Sequence, residues 1–111
     1  MPTAAQFIAE QWGAAVFLGR GFNGEVFLLP NGLVAKVTAN LQEARAAEKI
    51  LGPRRPHLPK IMSVTRVEGV TVEVNGGADG LPFIAAAEAV IVREEIPDGE
   101  EADPAVLRHL A

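Results

Sequence analysis

Three short apolar runs separated by tight turns restrict the fold of this chain more than any other feature. They cover residues 15–18, 25–29 and 33–37, and each has strand-like composition. Glycines separate the first two runs. Asn31-Gly32 separates the second from the third and supplies the two positive-φ positions that a two-residue hairpin needs. The sequence therefore predicts three consecutive antiparallel strands, a β-meander.

A short helix is predicted before the meander. Thr3 precedes Gln6 by the spacing of a capping box, and Gly13 ends the run that follows, so the helix should cover residues 4–12. A frayed tail is the alternative. The side chains expected to lie against the fold are Phe7, Ile8 and Trp12.

The main helix is predicted directly after the meander. Asn40 and Glu43 repeat the capping-box spacing, and a run rich in Ala, Glu and Lys continues from residue 41 to residue 51. Gly52 and Pro53 should terminate it.

Further strands are predicted in the second half of the chain. Residues 60–67 alternate as a strand, 70–74 form a possible strand, and 83–96 end in a strand with its core at 89–92. The expected fold class is α+β: a twisted antiparallel sheet of about five strands with one main helix packed on it and a short N-terminal helix.

Length and composition fit a single domain spanning residues 1–111. A chain of 111 residues with 49% hydrophobic content can bury one core. We divide it into an N-terminal helix (1–13), the sheet and main helix (14–99), and an acidic linker that opens a final helix (100–111).

Charge and residue usage exclude several classes of function. A net charge of −4 argues against a nucleic-acid surface, and the absence of cysteine excludes disulfides and thiolate metal sites. No secretory signal or membrane span is visible. The expectation is a soluble cytoplasmic domain without nucleic-acid or membrane partners.

A glycine motif between the first two strands carries the strongest functional signal. Residues 19–26 fit G-x-G-x-x-G-x-V at each fixed position. A strand follows the glycines, whereas a helix follows them in dinucleotide-binding folds. The glycines should thus form a hairpin turn whose backbone amides can approach phosphate oxygens. On the third strand, Val34 and Lys36 share a face, which can lie under this turn.

This order of motifs resembles the small lobe of a protein kinase. The strand that ends in Lys36 resembles the V-A-I-K strand, although Val34 stands where the small residue is usual. Residues 57–61 resemble the segment that leads into the fourth strand, and 90–99 resemble the fifth strand and hinge. The resemblance covers about residues 15–100, with 68–88 as an insertion.

The resemblance implies an ATP site and an acidic partner for Lys36. Glu94 and Ile96 would offer backbone groups to the adenine edge, and Arg93 would hold the gatekeeper place, where smaller or apolar residues are commoner. Glu43 is the preferred partner of Lys36, rather than Glu48, because apolar residues follow it at helical spacing. The implied nucleotide-binding residues are Leu18, Gly19, Gly21, Phe22, Gly24, Val26, Val34, Lys36, Glu94 and Ile96.

The catalytic motifs of kinases are missing from this chain. H-R-D and D-F-G do not occur, and both His57 and His109 are followed by leucine. Phosphoryl transfer by this chain alone is therefore not expected, Mg²⁺ binding is not expected, and ATP should bind weakly at best.

Three functions remain open from the sequence. The chain could be the ATP-binding small lobe of a kinase-like phosphotransferase, whose partner is a large lobe in the same parent chain. It could instead be a free-standing half-kinase that binds or inhibits another protein or a second copy of itself. A structural domain that uses no nucleotide, with glycines that only permit the hairpin, is the third.

Overall fold

A five-stranded antiparallel sheet forms the centre of the fold. The structure, a computed structural model, describes residues 1–53, 56, 58–76 and 81–95. In chain order the elements are α1 (Ala4–Trp12), β1 (Val16–Arg20), β2 (Gly24–Leu28), β3 (Val34–Thr38), α2 (Leu41–Lys49), β4 (Ile61–Arg66), β5 (Thr71–Asn75), β6 (Pro82–Ala86) and β7 (Ala89–Arg93). The strand order is β1-β2-β3-β7-β4, and every pairing is antiparallel. The predicted α+β class is confirmed.

Strand alternation gives this sheet two faces of different chemistry. Directly paired residues share a face, so the pairing of β2, β3 and β7 assigns each side chain. We call one side the apolar face, defined by Phe27, Ala35, Val37, Val90 and Val92. We call the other the lysine face, defined by Val26, Val34, Lys36, Ile91 and Arg93.

Helix α1 covers part of the apolar face. The Thr3 side chain accepts a hydrogen bond from the Gln6 N–H, and the Gln6 side chain accepts one from the Thr3 N–H, so the predicted capping box is present. Ile8 is fully buried in the core of the apolar face, and Phe7 and Trp12 pack against that core. The N-terminal helix is thus a part of the core rather than a frayed tail.

The segment between β4 and β7 forms a second sheet, which the sequence did not resolve. Strands β5 and β6 pair antiparallel in a two-stranded sheet. Val72 and Val74 of β5 lie in the same buried cluster as Val37 of the five-stranded sheet. Strand β6 was not predicted as a separate element, because its apolar run merges in sequence with the one that follows.

Two local predictions differ from the structure. The turn after β2 has three loop residues instead of two: Leu29 and Leu33 are hydrogen-bonded, Gly32 N–H donates to Leu29 O, and Gly32 has a φ of 87°. This is a turn followed by a left-handed glycine, the usual alternative to the two-residue hairpin. Helix α2 ends at Lys49, two residues before the predicted end: Ile50 is its C-cap, and Leu51 forms a bridge with Ile61 at the start of β4.

Several predicted features lie outside the described residues. They are His57, the hinge residue Ile96, the remainder of the hinge-like segment and the linker and helix expected at 100–111.

Candidate functional site

The glycine motif forms the β1–β2 hairpin. Gly21 N–H donates to Gly24 O over 2.9 Å, and Gly19 pairs with Val26. The register shifts between Phe17 and Gly19, which leaves Leu18 as the extra residue of a bulge on β1. The motif therefore lies between strands, as its sequence context predicts.

Two glycines of the motif, Gly24 and Gly19, differ in whether the structure has space for a β carbon. A β carbon at Gly24 would lie 1.8 Å from the carbonyl oxygen of Val37, so close pairing with β3 requires glycine there. A β carbon at Gly19 would meet no atom within 4 Å, and Gly19 has no left-handed φ. Neither crowding nor backbone conformation explains Gly19, and its position opposite Val26 leaves open space on the lysine face.

The hairpin is held by side chains on both sides. Asn75 of β5 donates its backbone N–H to Gly21 O over 2.9 Å and its side-chain amide to Arg20 O over 3.2 Å. On the other side, the amide of Asn40 donates to Asn23 Oδ1 over 3.0 Å. Asn40 also caps α2, so the hairpin tip and the start of that helix are connected.

Lys36 and Glu43 form a buried ion pair. Lys36 Nζ lies 2.6 Å from Glu43 Oε2, and the lysine is only 1% exposed. Asn40 Oδ1 accepts from the Glu43 N–H, but the Glu43 carboxylate turns to Lys36 and does not complete a capping box. The alternative partner, Glu48, pairs with Arg66 at the surface.

Burial, more than the ion pair, controls the charge of Lys36. Removal from solvent lowers the pKa of Lys36 below its ordinary value; Glu43 opposes this effect, and the nearby Arg93 adds to it. In the fold, the charged form of Lys36 is therefore disfavoured by burial and stabilised by Glu43.

Arg93 is a second buried cation on the lysine face. It pairs with Val34 at the end of β7 and is 9% exposed. Its Nη1 donates to Glu94 O over 3.2 Å, its Nε has no hydrogen-bond partner, and no carboxylate of the described residues forms an ion pair with it. Burial lowers the pKa of Arg93 and the nearby Glu43 opposes this effect, although an arginine keeps its charge in proteins.

The backbone groups of Glu94 already have protein partners. Its N–H donates to Lys60 O over 3.0 Å, and its carbonyl accepts from Arg93. The Glu94 carboxylate accepts from the Lys60 N–H over 3.2 Å. An adenine edge at this position would share or displace these bonds.

The structure brings together only part of the predicted site. Val26, Val34 and Lys36 share the lysine face, and Leu18 is half exposed on the edge strand β1. The Phe22 ring is 80% exposed and lies beside Gly76 at the end of β5.

A cavity of about 510 Å³ opens between α2 and the lysine face. Lys36, Glu43 and Arg93 line it, together with Asn23 of the hairpin. The three glycines of the motif do not. The sequence identified Arg93 only as an unusual gatekeeper and did not predict the cavity. The one signal that could have indicated a buried cation was that an arginine directly follows the apolar run 89–92.

Among the described residues, no group of three or more His, Cys, Asp or Glu could hold a metal ion. No helix in that part of the chain is long and apolar enough to cross a membrane. No protein-family model, curated protein or solved structure matches this chain.

Proposed function

We propose that this chain is a kinase-type small lobe that binds the phosphates of a nucleotide and does not transfer phosphoryl groups by itself. The observation that carries the proposal is the buried Lys36–Glu43 ion pair of 2.6 Å. Protein kinases require a lysine on the third strand paired with a glutamate on the following helix to engage ATP phosphates.

The glycine hairpin supports the same proposal. Space above Gly19 on the lysine face is open, and Val26 provides an apolar surface beside it. The hairpin is fixed by Asn40 and Asn75, so little ordering of the loop is needed when an anion binds. Phosphates would approach the hairpin and reach toward Lys36.

The backbone N–H and carbonyl of Glu94 already form hydrogen bonds, which limits how much binding free energy the adenine base can contribute there. Because the Glu94 carbonyl already accepts from Arg93, adenine gains little by binding there. We therefore expect the phosphates to supply most of the affinity, so tripolyphosphate should bind about as well as ATP, and adenosine should not bind measurably. One wall of a cleft gives weak binding, in the millimolar range at best.

The test is a titration of the ¹⁵N-labelled chain with ATP, with and without Mg²⁺, followed by NMR. Shifts should concentrate at residues 18–26 and at Lys36. Lys36→Met and Gly19→Val should remove them, whereas the matched control Lys49→Met on α2 should leave them unchanged. A flat titration, or equal shifts in Lys36→Met, would contradict the proposal.

A second candidate is a protein-binding module that uses no nucleotide. Strand β6 is an edge of its two-stranded sheet and carries no charge, and its Ile84 side chain is 69% exposed. Phe83 and the adjoining Leu81 are also exposed. Apolar edge strands readily pair with another chain.

Sedimentation velocity at increasing protein concentration tests this candidate for a second copy as the partner. Self-association that Ile84→Lys abolishes would favour it, with Met62→Lys on the edge strand β4 as the matched control. A chain that stays monomeric at millimolar concentration would exclude the second copy.

A further inference from the structure

The lining of the cavity between α2 and the lysine face combines charged and apolar side chains. The charged side chains are those of Lys36, Glu43 and Arg93. The apolar side chains include Ala46 of α2, Ile50 at the C-cap of that helix, Leu58, and Ile61 of β4. The cavity volume of about 510 Å³ lies within the range of small-molecule sites.

The charges of the described residues that line the cavity do not cancel. Lys36 and Arg93 are cations, and Glu43 is the only carboxylate among the described lining residues. Glu43 pairs with Lys36, so Arg93 is left with one hydrogen bond to a carbonyl and a buried Nε without a partner. Buried charges are normally paired, because their removal from water costs several kcal/mol. Among the described residues, no carboxylate forms an ion pair with Arg93, so this place can take one more negative charge.

We propose that the cavity binds a carboxylate with an apolar body, whose carboxylate pairs with Arg93. The apolar body lies against Ile50, Leu58 and Ile61. The planar guanidinium matches a carboxylate, with which it can form two parallel hydrogen bonds. The bound carboxylate supplies an ion-pair partner for Arg93, which no carboxylate of the described residues does.

The charge balance favours a monoanion over a dianionic phosphate. Lys36, Arg93 and Glu43 together carry one net positive charge, which a single carboxylate neutralises. A second negative charge would face Glu43, whose Oε1 is buried without a hydrogen-bond partner. An apolar wall beside the cations also favours a ligand with a hydrocarbon body over inorganic phosphate or acetate.

This site does not depend on nucleotide binding at the glycine hairpin. The motif glycines do not line the cavity, and Arg93 is not among the residues implied for the nucleotide. Lys36 is common to both sites, so variants of Arg93 and Gly19 are the informative ones. Gly19→Val should abolish ATP shifts and leave carboxylate binding intact.

The probe is octanoate below its micellar range, measured by isothermal titration calorimetry on the full chain. 1-Octanol, which lacks the charge, and acetate, which lacks the apolar body, should each bind at least tenfold more weakly. Arg93→Met should weaken octanoate binding at least tenfold, and Arg93→Lys should weaken it less. The matched control is Arg66→Met, which removes a surface arginine of β4 and should not change the affinity.

A thermal unfolding scan of each variant without ligand shows whether it folds. Because Arg93 is buried and no described carboxylate forms an ion pair with it, Arg93→Met should melt at an equal or higher temperature than the parent chain without ligand. Ala46→Trp, at an exposed position on the cavity wall, should also block octanoate and leave the fold intact.

Three results would overturn the proposal. They are octanoate binding that is equal in Arg93→Met and Arg66→Met, 1-octanol binding as tightly as octanoate, and no detectable octanoate binding. If the parent chain binds octanoate but shows no ATP-induced shifts, the proposed function fails and this site stands. If it shows the ATP-induced shifts but does not bind octanoate, this site fails and the proposed function stands.

Discussion

The two faces of the five-stranded sheet differ in what fills them. The apolar face is closed by α1 and the second sheet, and its cluster consists of side chains such as Ile8, Phe27 and Val72. The lysine face is covered by the nine-residue helix α2, and between them lies a cavity whose described lining residues include two cations and one carboxylate. The same strands supply both faces.

This difference separates stability from recognition. Apolar burial stabilises a fold without requiring specific partners, whereas buried charges cost free energy unless they are paired. The apolar face can therefore hold the sheet together while the lysine face keeps groups that are useful to a ligand. Variants on the two faces should differ in the size and the origin of their effects.

The largest effect is expected on the apolar face. Phe27 is 3% exposed and makes an edge-to-face contact with Phe17, so Phe27→Ala should lower the free energy of unfolding by about 3–5 kcal/mol. Urea denaturation measures this change. Leu28→Ala, one residue further on and partly exposed, is the control, and an equal cost there would show that the lysine face carries as much of the core.

The next effect concerns the charges of the lysine face. Glu43→Gln removes the carboxylate that pairs with Lys36 and also attracts Arg93, and it should cost about 3 kcal/mol because it breaks a buried ion pair. The double variant Lys36→Met/Glu43→Gln should be less destabilised than Glu43→Gln alone. If the double variant is the less stable one, the charges do not act as a pair.

Two glycines of one motif provide a smaller, matched test. Gly24→Ala should lower the free energy of unfolding by about 1–3 kcal/mol because its β carbon meets the backbone of β3. Gly19→Ala should change it by less than about 0.5 kcal/mol. Equal costs in thermal unfolding would mean that Gly19 is also structural, which would weaken the phosphate-binding proposal.

The smallest expected effect is a pH dependence. Because burial lowers the pKa of Lys36, the unfolded chain binds more protons than the folded chain between the folded pKa and the ordinary value of 10.5. The free energy of unfolding should therefore rise with pH in that window through this group. Lys36→Met should reduce the slope, and Lys49→Met should not. A slope that is equal in the parent chain and in Lys36→Met would show that Lys36 titrates normally.

Much of the local structure could be predicted because neighbouring residues determine it. The capping box at Thr3 fixed the start of α1, and strand alternation assigned Val34 and Lys36 to one face. The apolar residues that follow Glu43 at helical spacing predicted that its side chain faces the sheet, and in the structure it pairs with Lys36. These features depend on periods of two and 3.6 residues, which a sequence displays directly.

Residues distant in sequence decided the rest. The burial of Arg93 beside the strand of Lys36 follows from the pairing of β7 with β3, and β6 exists only because it pairs with β5. Local sequence was enough to predict the two helices, the meander and the glycine hairpin, and it contains no H-R-D or D-F-G motif. The bond from Arg93 to the Glu94 carbonyl and the cavity beside two cations arise only in the folded chain, because side-chain burial depends on which strands become neighbours.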